Sequence, residues 1–396
     1  MKIVILHTDF RIYWPARLRA LSALLKAHNM TLDVLEIAGA GSPYAFAKQE
    51  FSKDLSWQIL FPSEKMENLH NKAIQYVVKQ KLNEIDPDVI IAGAIAFPSG
   101  ALAVRWARQN NKKVIIFDDA KVEDVRRNAF VNFVKRSVYH GVDAILYPSP
   151  CWDKTGLYWD FQPDQMFYGV DVVDNNFWQK PFSKDCSFPK KYFLCIGRQI
   201  PKKNFVFVLR AYACYVNKVE NPLPLLMVGD GIEHKRLLQY VKDNGLVSHV
   251  IFKSFVQQAD LVSIYRQATA FIISSVKDET WGLVINEAMA SGLPVLVSDR
   301  CGAASTLVRN KENGLIFSPF DIKQLERGLL YMHGLSEDDR NEMSKKSLEI
   351  IKEWGIEKFA NSLYEAILFV SKKEKKELLL VEKIIIKLWN GRYRPI

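Results

Sequence analysis

The chain has 396 residues, 48% hydrophobic and 25% charged, with a net charge of +10. That balance excludes a disordered, collagenous or disulfide-stapled protein, and the length asks for two cores of about 150–200 residues each. The excess of Lys and Arg points to an anionic partner: a phosphorylated ligand, a membrane surface or nucleic acid.

In chain order, short β-branched runs alternate with longer amphipathic ones. Strands are expected at Lys2–His7, Leu32–Ile37, Val89–Ala92, Lys113–Phe117, Ala144–Tyr147 and Met166–Tyr168. A second series follows at Tyr192–Ile196, Leu225–Val228, Val250–Phe252, Ala270–Ile273, Pro294–Val297 and Gly314–Phe317. Helix-length patterns lie between them, among them Ala16–His28, Lys65–Glu84, Asn204–Val216 and Glu233–Asn244. Alternation of this kind predicts parallel sheets covered on both faces. Residues 174–191, with Asn175, Asn176, Pro181, Pro189 and several lysines, have little periodicity and read as a linker. Met1–Asp9 holds only a short apolar run, unlike a signal peptide, and Val89–Val104 is too short and broken for a span of about 20 residues. The five cysteines form no CxxC pair, which suits reduced thiols in a cytoplasmic protein.

In open α/β sheets, ligands sit beyond the carboxyl ends of the strands. Three such places carry chemistry. Gly197-Arg198 through Lys203 follows a strand and precedes a helix, so two cations and a helix start could hold a diphosphate; a solvated basic turn is the rival. Gly229-Asp230-Gly231 is another strand-end turn that lets backbone approach a ligand, though it is no GxGxxG fingerprint. The third runs from Ser274 to Gly292. It places Glu279 in a loop, the amides of Gly282 and Leu283 at a helix start, and Glu287 further into that helix. Carboxylates accept from sugar hydroxyls, and amides at a helix start suit phosphate.

Together these segments resemble the retaining glycosyltransferases of family 4, the "glycosyltransferase group 1" type. Glu279 and Glu287, with seven residues between them, match that family's E-x7-E motif, and Gly197-Arg198 with Lys203 matches its Gly-Arg…Lys motif. Gly229-Asp-Gly231, Ser291-Gly-Leu-Pro-Val295, Asn313-Gly314, Glu353-Trp354 and Gly169-Val-Asp171 extend the likeness, which is strong over about 165–370. The resemblance implies the GT-B fold: α/β, with two Rossmann-like doubly wound domains facing a central cleft. The N-terminal acceptor domain would cover 1–173, a linker 174–191, and the nucleotide-sugar donor domain 192–370, its final helix able to cross back to the N-terminal domain. A basic amphipathic tail, 371–396, would follow.

The resemblance also implies roles. Arg198 and Lys203 would hold the donor diphosphate and Glu279 the donor sugar, with Gly197, Gly229, Asp230, Gly282, Leu283 and Glu287 completing the donor site and Glu287 on the ribose. No metal would be needed, since two cations and a helix dipole stand in for one. Asp86-Pro-Asp88 precedes a strand and reads as a turn rather than a metal site. The departures are a missing Gly-Gly loop after the first strand, Thr306 where many members carry Glu, and Phe117-Asp-Asp-Ala120 where many carry a His. Asp119 is therefore the candidate for contacting the acceptor or donor hydroxyls, with helix capping by Asp118 and Asp119 as the rival.

Residues 125–139 place Phe130, Phe133, Val134 and Val138 beside Arg126, Arg127, Lys135 and Arg136. The tail from Ser371 carries a net charge of +5, half of the whole, with a wide apolar face. Both segments suit an anionic membrane surface, against a core-facing helix for the first and docking on the N-terminal domain for the second. No helix-turn-helix, zinc-finger or RNP pattern supports nucleic acid. The expected protein is thus a cytoplasmic transferase, peripheral on the inner face of the cell membrane. It would move a sugar from a nucleotide-sugar to a glycan or lipid-linked acceptor with retention, in surface polysaccharide or glycolipid synthesis. The alternatives are a nucleotide-sugar epimerase of the same fold and a non-catalytic sugar-nucleotide binder.

Overall fold

The computed structural model describes residues 1–40, 54–181, 191–277, 279–374 and 376–392. Among them are thirteen strands in two all-parallel sheets. The first sheet holds β1 (Lys2–His7), β2 (Thr31–Ala38), β3 (Ser56–Phe61), β4 (Val89–Ala92), β5 (Lys113–Phe117), β6 (Ala144–Tyr147) and β7 (Met166–Tyr168) in the order β3-β2-β1-β4-β5-β6-β7. The second holds β8 (Phe193–Ile196), β9 (Leu225–Val228), β10 (Val250–Lys253), β11 (Ala270–Ile273), β12 (Val295–Ser298) and β13 (Gly314–Phe317) in the order β10-β9-β8-β11-β12-β13. Each order reverses beside the first strand of its series, which is the doubly wound pattern and opens a crevice at the carboxyl ends of the strands. Central strands such as β4, β6, β9 and β11 are buried at every residue, as apolar runs covered on both faces must be.

The chain divides into two compact units, Met1–Val172 with Ile356–Ile396, and Val173–Gly355. The final helix of the expected 192–370 domain thus belongs to the first unit, the crossing back that the sequence reading allowed. Helix Ile356–Lys372 packs within the first unit against helix Trp14–Ala27 and buries Phe359, Leu363, Ile367 and Val370 in its core. Each of these side chains is worth about 1.5–3 kcal/mol when fully buried. The expected linker is corrected at its start. Asp174 caps a short helix, Asn175–Trp178, whose Trp178 is fully buried against Tyr265 of the second unit. Residues 182–190 of that linker lie outside the described residues.

The tail is built into the first unit. Helix Leu380–Leu388 packs on helices Ala129–His140 and Pro98–Asn110. Arg105 donates to the carbonyls of Ile386 and Trp389 and to the Asn390 side chain, and Trp389 Nε1 donates to the Ile95 carbonyl. Docking on the N-terminal domain, the rival for this segment, is what the structure shows. Among the described residues no helix is long and apolar enough to cross a membrane. Cys151, Cys195, Cys214 and Cys301 form no disulfide, and Cys186 lies outside the described residues.

Candidate active site

The donor-site loops expected from sequence follow the carboxyl ends of β8, β9 and β11, and Leu283 and Glu287 lie in the helix that the last of these loops leads into. β8 delivers Gly197 and Arg198, and a single 3-10 turn, Pro201–Lys203, brings Lys203 back over them before helix Phe205–Val216 starts. β9 delivers Gly229 and Asp230. These two loops are stapled by Gln199, which is fully buried. Its backbone N–H donates to Asp230 O, its Nε2 to Gly229 O at 2.6 Å, and its Oε1 meets His234 Nδ1 at 2.7 Å. Gly229 has φ +125°, and a Cβ there would lie 2.2 Å from the Gly197 carbonyl oxygen, so the close approach of the loops requires glycine. Asp230 accepts from the Phe255 N–H at 2.9 Å and so fixes the loop after β10.

β11 delivers the carboxylates. Its loop, Ser274–Glu279, is tied back by Ser274 Oγ to Lys203 O and by the Val276 N–H to Lys202 O. Asp278, in this loop, lies outside the described residues. Glu279 meets Lys203 Nζ at 2.5 Å and accepts from Ser275 Oγ at 2.8 Å, with the two charged side chains only 12% and 13% exposed. Burial works to raise the Glu279 carboxyl, but the Lys203 charge and hydrogen bond, helped by Ser275 and Lys202, outweigh it and hold the group below its usual value. The site thus keeps an ionised carboxylate and a cation in a poorly hydrated place. Gly282, at φ +99°, is the N-cap of helix Leu283–Ala290, whose first amides stand at the helix N-terminus. Glu287, one turn in, is 3% exposed and accepts from Tyr265 Oη at 2.7 Å. A surface carboxylate, its bland alternative, is excluded.

On the first unit, Asp118 and Asp119 follow β5 and behave differently. Asp118 is buried, accepts from Tyr139 Oη at 2.7 Å and receives the Ala120 N–H, so it is the structural member of the pair. Asp119 has an exposed side chain, while its carbonyl accepts from Trp152 Nε1. Asp118 thus holds the turn after β5 through the Ala120 N–H.

Two further carboxyls stand here, Glu36, which the sequence did not single out, and Asp171, which it gave only as the end of the Gly169-Val-Asp171 segment. Asp171, just after β7, is pushed up to about 7 by burial and by the nearby Asp119 charge. Glu36, fully buried at the end of β2, is pushed up to about 7 by burial and Asp9, although Trp57 Nε1 donates to it at 2.8 Å. Asp9 pairs with Arg11 at 2.7 Å, and Ile12 follows at φ +61°, a conformation that β-branched residues rarely take. This strained turn stands where a Gly-Gly loop was absent from the sequence. The signal available was a run of charged residues directly after a buried strand. Asp86 ends a helix in the left-handed conformation and Asp88 accepts from the Lys2 N–H, as a turn would. Among the described residues no group of three or more His, Cys, Asp or Glu is arranged to hold a metal ion.

Residues 176–349 match the family described as glycosyl transferases group 1. An uncharacterised glycosyltransferase of Haemophilus influenzae is 27% identical over 186 residues, 45% of this chain and 49% of that protein. Mannosylfructose-phosphate synthase of Agrobacterium fabrum is 30% identical over 169 residues, 41% of this chain and 36% of that protein. The chain thus spans half or less of the length of these curated relatives. Two solved structures cover nearly all of it. Anabaena Alr3699/HepE in complex with UDP has a TM-score of 0.72 at 16% identity, covering 93% of this chain and 100% of that one. A glycosyltransferase from Rickettsia africae has a TM-score of 0.74 at 15% identity, covering 94% and 99%. The fold is that of these GT-B glycosyltransferases.

Proposed function

On the premise that residues 176–349 are a glycosyl transferases group 1 region, we propose that this protein transfers a sugar from a nucleotide-sugar donor to a glycan or lipid-linked acceptor. The observation that carries the proposal is the buried Lys203–Glu279 pair beside the Gly197 and Gly229 loops and the amides of helix Leu283–Ala290. Such a site holds, in one place, donors for a diphosphate and an acceptor for sugar hydroxyls.

In this reading Arg198 and Lys203 bind the diphosphate and stabilise the charge that grows on it as the glycosidic bond breaks. The Gly282 and Leu283 amides add to that stabilisation from the helix N-terminus. Glu279, kept ionised, orients the donor sugar, and Glu287, oriented by Tyr265, takes the ribose. Asp119 on the first unit is assigned to the acceptor hydroxyl. With this much fixed positive charge at the leaving group the reaction needs no metal, and activity is expected to survive EDTA. The transfer is of the hexosyl type and retains the anomeric configuration, which proton NMR of the first-formed product reads directly. The acceptor lies at the inner face of the cell membrane, in surface polysaccharide or glycolipid synthesis.

The direct test is a thermal-shift panel of UDP-, GDP- and ADP-sugars, since a ligand at 100 times its Kd stabilises by about 2.7 kcal/mol. UDP-sugars lead the panel because the HepE neighbour was solved with UDP and with UDP-glucose. Absence of any shift, and of donor hydrolysis without acceptor, would remove the reading. Epimerised donor formed without acceptor would replace it by an epimerase.

A further inference from the structure

The chain passes between its two units at 172/173 and 355/356, and each passage has a tryptophan close by, Trp178 and Trp354, that the donor reading leaves unused. Both belong to the second unit. There the Val173–Gly355 bridge joins the two stretches, and Asn175 Nδ2 donates to the Ile351 carbonyl at 2.7 Å. Each tryptophan leads to helix Leu283–Ala290. Trp178 is fully buried and meets the Tyr265 ring edge to face, at 5.3 Å between centroids and 86° between planes. Tyr265 is fully buried too, packs on Phe271 of β11 at 5.8 Å and donates to Glu287 Oε2 at 2.7 Å. Arg266 donates to the Gln179 carbonyl at 3.3 Å, a second tie between the same two segments. Trp354 packs on Trp281 at 5.8 Å, and Trp281 Nε1 donates to Asn286 Oδ1 at 2.9 Å. Adjacent residues of one helix, Asn286 and Glu287, are thus each reached by a chain of contacts that starts where the units join.

We propose that Trp178 is a positioning residue for the donor ribose, acting through Tyr265 on Glu287. The proposal rests on the assignment of Glu287 to the ribose in the reading above. A carboxylate as deeply buried as Glu287 takes its direction from the donors around it, and the Tyr265 hydroxyl is one of them. That hydroxyl reaches Glu287 from one orientation of its ring, and an edge-to-face partner fixes the orientation. Trp178 Nε1 is buried with no hydrogen-bond partner among the described residues. The indole is therefore held by packing and leaves a donor unsatisfied, although a buried tryptophan usually finds an acceptor. What the position uses is the ring against Tyr265 and not the N–H. Coupling between two sites is reciprocal, so a nucleotide whose ribose engages Glu287 steadies the segment around Trp178 in turn.

The test uses the full chain and whichever of UDP, GDP and ADP binds most tightly, compared by calorimetry with its 2′,3′-dideoxy counterpart. The wild type is expected to prefer the ribose form by about tenfold or more, as for a hydrogen bond to a charged group. Tyr265→Phe, which removes the hydroxyl and keeps the ring, and Trp178→Ala each cut that preference to about threefold or less. Trp178→Phe keeps most of it, since a ring remains and the orphan N–H is gone. A purely structural role would weaken both nucleotides equally and leave their ratio intact. That outcome in Trp178→Ala overturns the proposal. Hydrogen exchange on the wild type needs no variant to fold. The ribose nucleotide should slow exchange over 174–179 by about threefold or more, and the dideoxy form should not. Equal protection by both, or by neither, also overturns the proposal. A wild type that binds both nucleotides alike, or binds neither, removes the Glu287 assignment itself. A wild type that prefers ribose beside a Trp178→Ala variant that prefers it equally leaves that assignment standing and removes Trp178 alone.

Discussion

Lys203→Met and Glu279→Gln, alone and together, separate what the buried ion pair does for stability from what it does for the donor. The two side chains are 13% and 12% exposed at 2.5 Å separation. Removing one partner leaves the other charge buried without its counter-ion, which costs about 3–5 kcal/mol. For a unit of this size that lowers the unfolding temperature by about 10 °C. The double variant has no charge left to strand, so at least half of the loss should return. Chemical denaturation of all four proteins, following the transition of the second unit, gives the coupling energy. Losses that simply add in the double variant would refute the pairing. Neither single nor double variant should show a nucleotide-sugar thermal shift, so stability returns while binding does not. Because Glu279 is held below its usual value in the folded state, the pair contributes fully above the ordinary Glu range. The contribution is lost as pH falls through the lowered folded value.

Glu36 gives the opposite slope. Its folded pKa is raised from 4.5 to about 7, so the folded state holds a proton that the unfolded state has released. The first unit should lose about 3 kcal/mol as pH rises from 4.5 to 7, and Glu36→Gln should flatten that loss in urea titrations across the range. Gly229→Ala puts a Cβ 2.2 Å from the Gly197 oxygen at a φ of +125°. It should cost at least about 2 kcal/mol and abolish donor-induced thermal shifts. Asp118→Asn should destabilise the first unit by about 1–2 kcal/mol by weakening the Tyr139 bond, whereas Asp119→Asn should lower turnover with melting unchanged. Arg105→Ala frees the Ile386, Trp389 and Asn390 acceptors. Hydrogen exchange over 380–392 should then accelerate at least tenfold while that over Ile356–Lys372 does not change.

Twelve of the thirteen strands could be read from sequence, because buried parallel strands are nearly pure apolar runs. The exception, Ser56–Phe61, is an edge strand half-buried along most of its length, with Trp57 and Gln58 breaking any such run. The Lys65–Glu84 pattern proved to be a 3-10 turn, Met66–Asn68, and a separate helix, Asn71–Ile85, since Leu69 and His70 take extended conformations between them. Periodicity cannot report a two-residue break of that kind. At the site, strand ends announced Lys203, Glu279 and Gly229, but nothing announced Gln199. A lone glutamine in a loop has no periodic or motif signal, and its role exists only once two strand ends lie side by side. The docking of the tail on the first unit was illegible for a related reason. Composition showed a basic amphipathic helix but not that Arg105, far away in sequence, would latch it.

The boundary at 172/173 and 355/356 has a consequence for how the protein is made. The second unit is an insertion within the first, closed at its base by the Val173–Gly355 bridge. Phe359, Leu363 and Ile367, which complete the first unit's core, leave the ribosome only after the whole second unit has been synthesised. At roughly 5–20 residues per second, the nascent first unit waits on the order of ten seconds or more with its apolar floor uncovered. The inserted unit, continuous in sequence, can finish its own core during that interval. The host's core is therefore the part of the newborn chain that stays open longest during synthesis.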